Sequence, residues 1–131
     1  MNLPRQIATL LESNGFGTFG IDIFIGGADY GTPDKCLWIT LAGGANAIEP
    51  ITGEKLKDYI VTIYARGVGT ESVYETIESI EAFFNSKDCI EISGYTLIDI
   101  STLSFPVDSD LDSEDRKIGT LEVRVSIHTN N

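Results

Sequence analysis

The sequence predicts an α+β fold: a mainly antiparallel or mixed β-sheet with two principal helices packed on it. Three observations carry that expectation. Apolar residues recur at helical spacing near the start of the chain and again from Val73 to Phe84. They alternate with polar ones over residues 120–129, placing Leu121, Val123, Val125 and Ile127 on one face of a strand. The remaining apolar runs are short and bounded by Gly, Pro, Asn and Asp, and helices segregated from such strands give an α+β arrangement.

In chain order, Leu3, Ile7, Leu10 and Leu11 form one helical stripe, with Pro4 tolerated in the first turn. Asn14-Gly15 supplies a stop, because Gly takes the left-handed conformation at a helix C-terminus without steric cost. Phe19, Ile21, Ile23 and Ile25 have a period of two and predict a strand over 19–25. Residues 26–34 are turn-rich. Two central strands follow near 37–41 and 58–65. The 42–57 connection between them exceeds the usual hairpin loop and reads as an arm or interaction loop. Ser72 and Glu75 have the spacing of a capping box, which opens a helix carrying Val73, Tyr74, Ile77, Ile80, Phe83 and Phe84 and ending near Asn85. Short and longer strands are expected over 89–92 and 95–105, and an acidic connection over 108–117 leads to the last strand. Trp38, Tyr59, Tyr64 and Tyr74 are expected to be core or half-buried.

The chain has 131 residues, of which 42% are hydrophobic. That suits one domain over 1–131 with a real core. No apolar run approaches the roughly 20 residues of a membrane span. The first fifteen residues lack the pattern of a signal peptide, so synthesis in the cytosol is the expectation. Cys36 and Cys89 are far apart and read as buried small hydrophobes in a reducing compartment. Nine basic against twenty acidic side chains give a net charge of −11. Such a chain repels polyanions, which argues against sequence-specific nucleic-acid binding and against anionic membranes.

Motif by motif, no catalytic set emerges and no cofactor is implied. Gly15-Phe16-Gly17-Thr18-Phe19-Gly20 matches a dinucleotide-binding pattern, but that chemistry needs the glycines after a strand and before a helix. Here they follow a helix and lead into a strand. Gly26 to Gly31 continues into Thr32-Pro33 with no Lys to reach a phosphate, and Gly53-Glu54-Lys55 lacks the upstream Gly. His128 is the single histidine and falls on the polar face of the last strand. Asp108, Asp110 and Asp112 occupy the first alternating positions of a calcium loop, yet Ser113 stands where that loop needs Gly and Gly119 where it needs Glu. A solvated connection suits these residues better than a metal site. Arg66 ends an apolar strand, which makes it a solvated strand end or a partner for an acidic loop of a neighbouring subunit.

One resemblance spans most of the chain. A helix closed by Gly leads to Ile21-Asp22-Ile23-Phe24-Ile25-Gly26, then Pro33, a strand running into Ala42-Gly43-Gly44, and a loop with Pro50. A strand ending Tyr64-Ala65-Arg66-Gly67 follows, then the Val73 to Phe84 helix and Phe105-Pro106 before an acidic turn. This series resembles the minor capsid or tail terminator proteins of long-tailed bacteriophages and prophages. The resemblance implies a structural virion protein of the tail or neck with no catalytic turnover. It implies a ring, usually a hexamer, that caps the tail tube and meets the head-tail connector protein. The expected partners are therefore further copies of the chain, the tail tube protein and the connector.

A ring contact is heterologous, so two different surfaces of one subunit must be complementary. Lys55, Lys57 and Arg66 on one side, and Asp108, Asp110 and Asp112 on the other, are the candidate interface residues. They are inferred from charge and loop length in this sequence, since the family has no shared contact motif to transfer. Two other readings stand beside this one. They are another neck or head-completion component, and a small calcium-dependent binding module using the Asp108–Asp112 loop.

Overall fold

The fold is seen in a computed structural model, which describes residues 3–26, 34–48, 56–86, 89–92, 95–104 and 117–129. The expected α+β architecture is present. The chain runs α1 (Leu3–Ser13), β1 (Ile23–Ile25), β2 (Cys36–Ile48), β3 (Leu56–Gly67), α2 (Thr70–Asn85), β4 (Cys89–Ile92), β5 (Tyr95–Ser104) and β6 (Lys117–Thr129). The strands form one sheet in the order β1-β2-β3-β6-β5-β4. Only β1 pairs in parallel, against β2; every other pair is antiparallel, so the sheet is mixed.

The strand alternation decides where the core sits. Leu37 and Ile39 of β2, Val61, Ile63 and Ala65 of β3, and Leu121, Val123 and Val125 of β6 are all buried. Register aligns them in rows, such as Ile39–Ile63–Leu121. These rows share one cluster with Leu3, Ile7 and Leu11 of α1 and Val73, Ile77, Ile80 and Phe84 of α2. Both helices therefore cover the same sheet face. Phe16 and Phe83 meet edge to face, with centroids 5.9 Å apart, and tie the end of α1 to α2.

The end of α1 follows from its sequence. Gly15 has φ +83°. Its N–H bonds the Glu12 carbonyl, while the Phe16 N–H bonds the Leu11 carbonyl at 3.0 Å. This is a Schellman closure, with Phe16 folded back onto the core.

Several elements depart from expectation. The strand expected over 19–25 is reduced to Ile23–Ile25. Residues ahead of it are held in a tight turn in which the Thr18 carbonyl accepts from the N–H groups of Ile21, Asp22 and Ile23. The Asp22 carboxylate closes the turn by accepting from the Thr18 N–H. Ile21 is consequently 62% exposed despite its place in the alternation. The long 42–57 loop is also shorter than expected, because β2 continues to Ile48 and β3 begins at Leu56. Gly43-Gly44 falls within the expected 42–57 loop. In the structure it lies within a strand, where pairing slips between Leu41 and Gly43 and again between Gly44 and Ala47.

The expected capping box does not open α2. Its N-cap is Gly69, with φ +98° and no side-chain cap, so Ser72 lies inside the helix. The Ser72 carbonyl accepts from the Thr76 hydroxyl at 3.0 Å.

Candidate functional site

The sheet face turned away from α1 and α2 is the first surface with a defined chemistry among the described residues. The register places Trp38, Tyr64 and Thr120 in one row, with Phe24 beside Trp38. Trp38 and Tyr64 stack with centroids 5.1 Å apart and planes within 5°. The next row is Thr40, Thr62 and Glu122, and beyond it Arg124 donates from Nε to Glu122 at 2.9 Å. Both Trp38 and Tyr64 are half-buried.

The second surface is a cleft of about 230 Å³ between the α1–β1 connection, the start of β2, the end of β3 and α2. Residues Gly15, Phe16, Gly17 and Asp22 form one wall. Lys35, Cys36, Leu37, Arg66 and Thr76 complete the lining. A Cβ on Gly17 would stand 2.6 Å from Asp22 Oδ1, so glycine is needed there for the close approach. Further contacts fix the loop to α1: the Phe19 N–H donates to Glu12 Oε2 at 3.0 Å, and the Arg5 guanidinium lies 3.9 Å from the centroid of the Phe19 ring.

Arg66 is not a solvated strand end. It is 5% exposed and donates from Nε to the Asp34 carbonyl at 3.4 Å. Burial of a guanidinium requires hydrogen-bonding partners, and its five donors allow several at once. Cys36 is buried at the same end of the sheet, paired with Arg66 in the strand register. Lys35, by contrast, is exposed at the side of the cleft.

The third surface is the outer ridge of α2. Glu71, Glu75 and Glu78 are exposed and stand at i, i+4 and i+7, opposite the buried stripe of Val73, Ile77, Ile80 and Phe84. No Lys or Arg occurs in this helix. Tyr74, expected in or near the core, is 40% exposed beside the ridge.

The structure does not bring the six candidate interface residues together in one described place. Arg66 lines the cleft, and Lys57 lies in β3 opposite Ala47 and Ile127, so it belongs to a strand and not to a loop. Lys55, Asp108, Asp110 and Asp112 lie outside the described residues. His128 is placed in β6 opposite Leu56 and Thr96. Among the described residues, no three His, Cys, Asp or Glu side chains are grouped to hold a metal ion. No described helix is long and apolar enough to cross a membrane. No local pattern announces the cleft, because its lining comes from four separate stretches of chain. The α2 ridge was visible as Glu71, Glu75 and Glu78 at helical spacing.

Among the described residues, fold and surfaces together define an α+β protein with a sheet face that neither helix covers, a cleft lined by Arg66 and Lys35, and an acidic helix ridge. No protein-family model matches the chain, and no curated protein does. Among solved structures, the fold is similar to a chain of the "Virion of native gene transfer agent (GTA) particle", with a TM-score of 0.52 and 10% sequence identity. The similarity covers 83% of this chain and 80% of that one. At this identity the likeness is one of fold.

Proposed function

We propose that this chain is a structural protein of a phage-like virion, in which it caps the tail tube as a ring of six copies and forms the junction with the head connector. The observation that carries the reading is the fold shared with a virion chain over most of both lengths. The sequence order that resembles tail terminators supports the finer assignment. In this role the protein turns over no substrate, is made in the host cytoplasm and ends in the tail or neck of the particle. Its net charge of −11 suits a passage for DNA, because like charge keeps a polyanion from adhering to the wall.

Ring closure needs two unlike surfaces on each subunit. Lys55 and Lys57 on one subunit, facing Asp108, Asp110 and Asp112 on the next, are one such pairing. The test is mass by light scattering after size exclusion, on the chain alone and mixed with its tail tube protein. A discrete ring near six subunits, or a ring bound to the tube protein, is the expected result. A chain that remains a monomer and ignores the tube protein contradicts the reading and favours another neck component.

A further inference from the structure

We infer that Asn14 is a site of spontaneous deamidation that the closure of α1 holds shut, and that the reaction, once it occurs, prevents the closure from re-forming in its native geometry. The inference stands apart from the virion reading and needs no partner.

Two adjacent residues set the chemistry. Asn14-Gly15 is the one Asn-Gly step in the chain. Deamidation begins when the Gly15 backbone nitrogen attacks Cγ, the carbonyl carbon of the Asn14 side chain. A bond forms between that nitrogen and Cγ, the Cγ–Nδ2 bond breaks, and ammonia leaves with the proton that the nitrogen gives up. Water then opens the cyclic succinimide at one of its two carbonyls. One opening gives aspartate, the other isoaspartate, in which the main chain runs through the side chain. Only water is consumed, and nothing is oxidised or reduced. Glycine in the second position favours the attack, because it has no Cβ to crowd the ring and its backbone is free to turn. Both residues are exposed, so water reaches them.

The fold engages both reacting groups elsewhere. The Gly15 N–H donates to the Glu12 carbonyl at 3.2 Å. The Asn14 side chain donates from Nδ2 to the Leu10 carbonyl at 2.8 Å, which turns it back along α1. The N–H groups of Asn14 and Phe16 both donate to the Leu11 carbonyl, at 3.2 and 3.0 Å. Three of the four carbonyls that the end of a helix leaves without partners are thus satisfied here. Phe16 anchors the closure by packing against the core and the edge of Phe83. Attack requires the Gly15 N–H and the Asn14 amide to leave their acceptors together, so the closure must open first.

The product fits the closed form poorly. A carboxylate at position 14 only accepts hydrogen bonds and has no proton for the Leu10 carbonyl. It also puts a negative charge at the negative end of the α1 dipole, in a helix with no basic residue in its last turn. Isoaspartate adds a carbon to the main chain between the Leu11 carbonyl and the Phe16 N–H, which displaces that bond as well. Opening is therefore reversible before the reaction and not after it.

The test follows the chain over time in mildly alkaline buffer, folded and in urea. Mass spectrometry reads the tryptic peptide between Arg5 and Lys35, whose one asparagine is Asn14. Deamidation should be about tenfold slower or more in the folded chain, because a closed segment reacts only through its open fraction. Phe16→Ala, with circular dichroism to confirm that the fold is kept, should raise the folded rate and leave the rate in urea unchanged. Asn14→Asp, which supplies one of the products directly, should unfold at a lower urea concentration than Asn14→Ala, which loses the same hydrogen bond without gaining a charge.

Similar rates for the folded and unfolded chain overturn the gate, as does a folded Phe16→Ala that reacts no faster than wild type. If Phe16→Ala does not fold, the wild-type comparison decides the gate by itself. An Asn14→Asp variant as stable as Asn14→Ala overturns the claim that the product disfavours closure.

Discussion

Gly15 and Gly17 sit two residues apart and both have positive φ, +83° and +156°, but only Gly17 is crowded as well. Gly15 has φ +83° and open space where a Cβ would stand, so only its backbone conformation resists substitution. Gly17 faces Asp22 Oδ1 and Ile23 Cγ1, at 2.6 and 3.0 Å from an added Cβ. Gly15→Ala should therefore cost about 1–2 kcal/mol of stability, the penalty of a left-handed residue with a side chain. Gly17→Ala should cost more, because Asp22 must also turn away and give up its bond with the Thr18 N–H. Denaturant unfolding of the two variants checks the order, and equal losses would show that the Asp22 turn does not constrain the loop. Sequence legibility at this scale was uneven. Gly15 was readable as a helix stop because its cue is local. Arg66 was not readable as a buried residue, because its hydrogen-bond acceptor, the Asp34 carbonyl, lies 32 residues away in the chain.

Strand β6 and the helices α1 and α2 were legible because one face of each is apolar and the other polar over many residues. The misread elements are those in which a single side chain or backbone contact overrides the pattern. Ile21 keeps the alternation of a strand, yet the turn built on the Thr18 carbonyl takes it out of the sheet. Gly43-Gly44 falls in the expected 42–57 loop, yet the strand passes through it as an irregularity. Pairing with β3 over both flanks outweighs the local preference of two glycines. For the sheet face turned away from the helices, the Trp38–Tyr64 stack is the measurable feature. A double-mutant cycle with Trp38→Ala and Tyr64→Ala should give a coupling of about 0.5–1.5 kcal/mol, as for other aromatic pairs. A coupling near zero would mean that the rings do not stack across β2 and β3.

Across the described residues, two helices pack on one side of a six-stranded sheet and neither reaches the other side. The alternating patterns predicted the helix-packed core. The cleft depends on four stretches of chain meeting, which no local pattern encodes. An assembly role accounts for these features together: a sheet face that neither helix covers, a cleft lined by Arg66 and Lys35, and an acidic helix ridge. The central claim is that the chain stops and seals the tail tube. Electron microscopy of tails formed in cells that lack only this protein, with lengths measured particle by particle, tests it most directly. The account predicts tails of uncontrolled length without attached heads, restored to uniform length when the protein is supplied. Tails of normal length joined to heads would contradict it.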